Sequence, residues 1–162
     1  MLKLEGSVCI EASQEATWTV LADIENIVDW SEMVQSAKSS GEVSAGVGTE
    51  RTCALNNKVT ITERWVTWDE GNSYTYEGFN IPLVNSAKNK WSVKTENGKS
   101  LLTTESEVTL KGGVFGIMLE PLMKLMSTKM STNALAAFKY LVENGRSFEG
   151  KHSILSKFPI VC

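Results

Sequence analysis

Arg51 and Glu63 are the charged residues whose placement bears most directly on chemistry. They sit in two partly apolar runs, 49–55 and 59–68, separated by Asn56-Asn57-Lys58. With those three residues as a hairpin loop, Leu55 faces Val59, Cys53 faces Ile61 and Arg51 faces Glu63. A two-residue loop would slip the register and set apolar side chains against polar ones. The predicted register turns both charges to the inner face, where an unpaired charge is costly and a mutual ion pair is the natural arrangement. Such a pair serves structure, or orients a polar group of a ligand. Tyr74 and Tyr76 share a strand face, as do Trp91 and Val93, and Trp30 falls at the expected mouth of a cavity. These rings combine an apolar body with one polar handle, which suits amphipathic ligands. Core packing alone explains them nearly as well.

Catalytic constellations are thin. His152 is the only histidine and lies near the end of the chain, so no Ser-His-Asp or Cys-His set can be assembled. Cys9, Cys53 and Cys162 are widely spaced and odd in number, which predicts neither a metal cluster nor a disulfide framework. Gly46-Val47-Gly48 reads as a turn rather than a phosphate cradle. Glu105 and Glu107 alternate with Thr104, Ser106 and Val108, which makes them outer-face charges of a strand. No catalytic residue, metal or cofactor is assigned, although positioning a reactive ligand beside a few polar groups remains open as an enzymatic route.

The elements that must position these residues begin with a long helix. Leu119, Leu122, Met126, Met130, Ala134, Ala137 and Leu141 recur at three- and four-residue steps, the stripe of an amphipathic helix. The stretch from Gly112 to Gly145 reads as one helix; Pro121 is tolerated in a first turn, so its regular part is expected over 121–144 unless Pro121 sits in a kink, and Asn144-Gly145 closes it. Met118, Leu122, Met126 and Met130 read either as ordinary core or as the adaptable wall of an apolar cavity. Ahead of the helix, 2–11 alternates as a strand, Ser13 caps a short helix, and 23–30 forms a second short helix or turn. Strands are expected at 34–40, 49–55, 59–68, 73–79, 88–95 and 99–110, with Asn97-Gly98 a strong hairpin turn. Short connections between seven strands imply an antiparallel meander, hence an α+β domain.

The 162 residues form one domain over 1–145 and a tail over 146–162. Phe148, Ile154, Leu155, Phe158, Ile160 and Val161 make that tail too apolar for a solvated end, so it is expected to fold onto the domain or a neighbouring subunit. A net charge of −3 with no basic patch argues against a nucleic-acid partner. No apolar run is long enough for stable membrane insertion, and no leader is recognisable, so a cytoplasmic location is expected.

Several local strings resemble the START-like, or SRPBCC, superfamily, and within it the polyketide cyclase/dehydrase and lipid-transport group. They are Val8-Cys-Ile-Glu-Ala12, Thr17-Trp-Thr-Val-Leu-Ala-Asp23, Asp29-Trp30 with Val34, Gly46-Val-Gly-Thr49, Thr62-Glu-Arg-Trp-Val66 with Trp68-Asp69, and the glycine-led last helix. The resemblance covers roughly 3–145. It implies a helix-grip fold, a curved seven-stranded antiparallel sheet clasping a long C-terminal helix over a cavity. It also implies binding or transport of a small hydrophobic or amphipathic molecule. The ligand-binding set expected on this basis is Trp30, Arg51, Glu63, Tyr74, Tyr76, Trp91, Met118, Leu122, Met126 and Met130. A cyclase/dehydratase-like enzyme and a cochaperone-like interaction module are the alternatives. Ala12-Ser13 departs from the family, whose members often carry proline there.

Overall fold

The computed structural model describes residues 1–40 and 45–157. Its elements are β1 (Leu2–Ile10), α1 (Gln14–Ala22), a 3-10 segment (Ile24–Asp29), β2 (Val34–Ser40), β3 (Glu50–Leu55), β4 (Thr60–Asp69), β5 (Ser73–Phe79), β6 (Val84–Glu96), β7 (Lys99–Leu110), α2 (Val114–Asn144) and a final 3-10 segment (His152–Lys157). Among the described residues the strands form one antiparallel sheet in the order β1-β7-β6-β5-β4-β3-β2. Consecutive strands are neighbours from β2 to β7, and β1 closes on β7. The sheet with its long helix is a helix-grip α+β fold.

Local chemistry accounts for most of these boundaries. Ser13 accepts a hydrogen bond from the Ala16 amide at 3.1 Å and starts α1. Asn97 and Gly98 both have positive φ, at 50° and 77°, as the tight turn between β6 and β7 requires. Strand β6 begins four residues before the predicted 88. A bulge between Val84 and Ser86 carries the pairing with β7 past the polar Asn85 that had read as loop.

The core lies between the concave sheet face, α1 with its following 3-10 turn, and the C-terminal half of α2. Leu135, Ala137, Phe138 and Leu141 are the buried contacts of α2 there. Helix and β1 approach closely because Gly6 has no side chain: a Cβ at that position would lie 2.9 Å from Leu135 Cδ1. Lys139 Nζ donates to the Cys9 carbonyl at 2.6 Å, and Glu143 accepts from the Glu11 amide at 2.7 Å, so the same contact is pinned at its polar edge.

Two expectations are corrected here. Helix α2 begins at Val114, seven residues before Pro121, so the start at the proline is overturned and the alternative, with Pro121 inside the helix, is what forms. The Gly112-Gly113 turn, with φ of 94° and 54°, lets the chain enter the helix early. Gly116 then packs where a Cβ would meet the Lys111 carbonyl at 2.6 Å. Cys9 is disulfide-bonded, whereas Cys53 is a free buried thiol, because spacing along the chain does not report closeness in the fold.

After α2 the chain turns back along it. Ser147 Oγ donates to Asp29 at 2.8 Å, the His152 amide donates to Glu32 at 2.6 Å, and Phe148 meets Tyr140 edge-on. Leu155 packs against the main core. Phe158, Ile160 and Val161 of the expected tail packing lie outside the described residues, as does the predicted break at Gly41.

Candidate functional site

The β3–β4 hairpin forms in the predicted register, with Arg51 opposite Glu63 and Cys53 opposite Ile61. Arg51 is 2% exposed and Glu63 6% exposed, so both charges are inside the protein. Arg51 Nε donates to Glu63 Oε2 at 2.7 Å and Nη2 lies 2.5 Å from the same oxygen. Nη1 donates to the Ile24 carbonyl at the start of the 3-10 segment, which ties that turn to the sheet. The Cys53 thiol donates to Glu63 Oε2 at 3.6 Å. Burial works against the charge of Arg51, but the facing Glu63 carboxylate, with Tyr76, Cys53 and Tyr74, outweighs it and holds the guanidinium pKa above its ordinary value.

Aromatic rings wall this pair. The guanidinium carbon lies 5.0 Å from the Trp65 ring centroid and 5.8 Å from that of Tyr76, both within cation–π range. Trp65 in turn contacts Tyr74 at 5.6 Å and Tyr76 at 5.1 Å. A bulge between Trp65 and Thr67 restores Trp68 to the concave side, where it stacks on Tyr74 at 5.4 Å. In a regular strand two residues three apart would point to opposite faces. Trp30 meets Trp91 and Phe138 edge-on, each at 5.4 Å, and so links the 3-10 turn, β6 and α2.

Burial pushes the phenols of Tyr74 and Tyr76 well above their ordinary range, and the Arg51 charge does not undo it. Both therefore stay neutral near pH 7 and act as hydrogen-bonding groups rather than as bases. Tyr74 donates to the Leu21 carbonyl at 3.4 Å, and the Trp91 indole hydrogen-bonds with Tyr76. Burial likewise raises the Cys53 thiol to about 12, so it is no ready nucleophile. Two buried donors stand out: the indole N–H groups of Trp30 and Trp65 find no hydrogen-bond partner among the described residues. A buried donor left unsatisfied costs about 1–3 kcal/mol, so both are groups that an acceptor would satisfy.

Of the expected site residues, Trp30, Arg51, Glu63, Tyr74, Tyr76 and Trp91 are buried, and the rings among them share one cluster. The other four are not enclosed with them. Met118 is 73% exposed, and Leu122, Met126 and Met130 are also exposed on the N-terminal half of α2. Helical drift accounts for Leu122, whereas Met130, only about 20° around the axis from Leu141, is exposed because it lies on the half of the helix that the core does not reach. Leu122 is nineteen residues before Leu141 and lies roughly 100° around the axis from it at about 3.6 residues per turn. Gly116 and Ser127 are the residues in line with the buried face. The Ile24 carbonyl and Phe138 complete the cluster without having been foreseen; no local pattern marks a carbonyl that meets a side chain 27 residues away.

Seven antiparallel strands gripping a C-terminal helix, with a buried ion pair inside an aromatic cluster, define a helix-grip domain. The chain belongs to the family described as polyketide cyclase / dehydrase and lipid transport, which matches residues 1–143. Solved structures similar to it include the XoxI protein from Bacillus cereus, at 22% identity and a TM-score of 0.65, covering 83% of this chain and 93% of that one. Ara h 8.0201 aligns at 15% identity with a TM-score of 0.70, covering 86% of this chain and 96% of that one. A protein from Thermus thermophilus aligns at 17% identity and a TM-score of 0.73, with the same coverage of 86% and 96%. At these identities the likeness is one of fold. Comparison with functionally curated proteins finds no match.

Proposed function

We propose that this protein binds a small hydrophobic or amphipathic molecule between the concave sheet and the C-terminal helix. The polar end of the ligand would be received by Trp30, Trp65 and the Arg51–Glu63 pair. The observation that carries this reading is the pair of unpartnered indole N–H groups inside a buried, mainly aromatic cluster. Packing alone gives no reason to bury donors without acceptors, whereas a carbonyl or hydroxyl oxygen on a ligand would satisfy them. The family description, which names lipid transport beside cyclase and dehydrase activity, supports the same class of ligand. Neutral Tyr74 and Tyr76 suit a role in orienting a bound oxygen. Acid–base turnover would need a group that changes protonation near the working pH, and neither phenol does so.

The test uses anilinonaphthalene sulfonate, whose fluorescence rises in apolar surroundings, with native mass spectrometry of freshly purified protein for a co-purified ligand. The expected result is saturable binding of one dye per chain, displaced by fatty acids or aromatic polyketide-like compounds, and weakened several-fold in Trp30→Phe and Trp65→Phe, which remove the N–H donor together with part of the ring; melting temperatures of both variants report the packing loss separately. Because the dye also has an exposed apolar helix face available to it, the titration is repeated in Ile117→Glu/Leu125→Glu. Dye binding abolished by that surface variant and untouched by both indole substitutions would defeat the proposal.

A further inference from the structure

The N-terminal half of α2 is arranged the wrong way round for a helix resting on a sheet. Toward the protein it turns Gly116, Glu120, Met123 and Ser127, which are buried or half-buried. Toward water it presents Val114, Phe115, Ile117, Met118, Leu122 and Leu125, all exposed. Nine of the fifteen large apolar side chains exposed among the described residues lie between 114 and 130, which makes this a continuous patch rather than scattered exposure. Leu83 adds to it from the β5–β6 connection, since its carbonyl accepts the Lys111 amide at 2.8 Å and its side chain is exposed.

Charge around the patch is one-sided. The only acidic residue of 111–130 is Glu120, and the α-ammonium of Met1 pairs with it at 2.9 Å. The remaining charges of that stretch are Lys111, Lys124 and Lys129, all exposed. In a chain with a net charge of −3, the fully exposed charges of this stretch are thus lysines.

We propose that this half-helix is a docking face for an anionic lipid surface. Its apolar side chains would enter the boundary between headgroups and acyl chains, and its lysines would meet the headgroup phosphates. No helix among the described residues is long and apolar enough to cross a membrane, so the association is peripheral. A second copy of the chain is the competing occupant. An isologous dimer through this face would bring the lysines of one copy, Lys124 and Lys129, near those of the other, and like charges oppose it. The proposal rests on the surface of α2 and stands or falls independently of any ligand in the core.

Flotation of the full chain with vesicles tests it, using phosphatidylcholine alone and phosphatidylcholine mixed with phosphatidylglycerol. The chain is expected to float with the mixed vesicles, less with the neutral ones, and progressively less as salt screens the lysines. Ile117→Glu/Leu125→Glu should lose about tenfold in affinity for each side chain withdrawn from the lipid. Lys124→Gln/Lys129→Gln should lose about fivefold per lysine on the mixed vesicles and little on the neutral ones. All four positions are exposed, so an unchanged circular dichroism spectrum and melting temperature will report that the variants fold. Absence of flotation with mixed vesicles overturns the proposal, as does undiminished flotation of Ile117→Glu/Leu125→Glu. A concentration-dependent dimer in sedimentation, abolished by that variant, with no vesicle binding, would assign the face to a second copy instead.

Discussion

The two halves of α2 carry similar side chains and have opposite fates. Leu135 is 2% exposed and touches β1 across Gly6, whereas Leu125, ten residues earlier in the same helix, is 71% exposed. Helix propensity treats the two leucines alike. What separates them is azimuth, because ten residues rotate a side chain by roughly 1,000°, or 280° net, at about 3.6 residues per turn. Leu135 falls inside the arc that meets the sheet and Leu125 falls outside it. An apolar stripe is therefore a statement about which side chains need company, and only packing decides whether the domain itself provides it. The C-terminal half finds that company in the aromatic cluster, while the N-terminal half leaves its apolar surface available to an external partner.

The largest expected effect lies on the packed side, at Glu63→Ala. Leaving Arg51 buried without its carboxylate typically costs about 3–5 kcal/mol. Replacing both partners by Leu and Met should recover most of that loss. Chemical denaturation followed by tryptophan fluorescence measures it, and an unchanged midpoint for Glu63→Ala would place the pair in solvent. Next is a matched pair along the helix. Leu135→Ala should cost about 2–5 kcal/mol as a buried truncation, while Leu125→Ala should change stability by no more than about 0.5 kcal/mol. Equal effects at the two positions would erase the contrast between the halves.

The smallest effect is chemical. The Cys53 thiol, raised to about 12 from an ordinary 9.0, stays protonated and should resist alkylation in the folded protein at pH 8. Peptide mass mapping after iodoacetamide treatment, with and without denaturant, reads this at the single residue. The sign of the linked stability follows. Below about pH 9 the thiol is protonated in both states and its contribution is fully present. Above that the unfolded thiol ionises first, so this contribution falls as pH rises toward 12. Rapid alkylation of the native protein would mean that the concave cluster opens readily.

Much of the architecture could be read from local chemistry because its causes are local. A three-residue loop at Asn56-Asn57-Lys58 dictates the partner of every residue on β3, so the Arg51–Glu63 encounter was legible before any coordinates. Ser13, Asn97-Gly98 and the alternation of β7 likewise announce their own conformations. Three features needed the folded chain. The bulge that brings Trp65 and Trp68 onto one face arises where β4 meets β5, and neither strand alone encodes it. The Ile24 carbonyl reaches Arg51 only because the 3-10 turn docks on β3 and β4. The direction of the methionine-rich stripe depends on where the helix first touches the sheet. The buried contacts fall at Leu135, Ala137, Phe138 and Leu141, close to β1 at Gly6, while Met118, Leu122, Met126 and Met130 of the preceding turns are exposed. Periodicity is a property of the chain, but the phase of that periodicity against a neighbouring surface is a property of the fold.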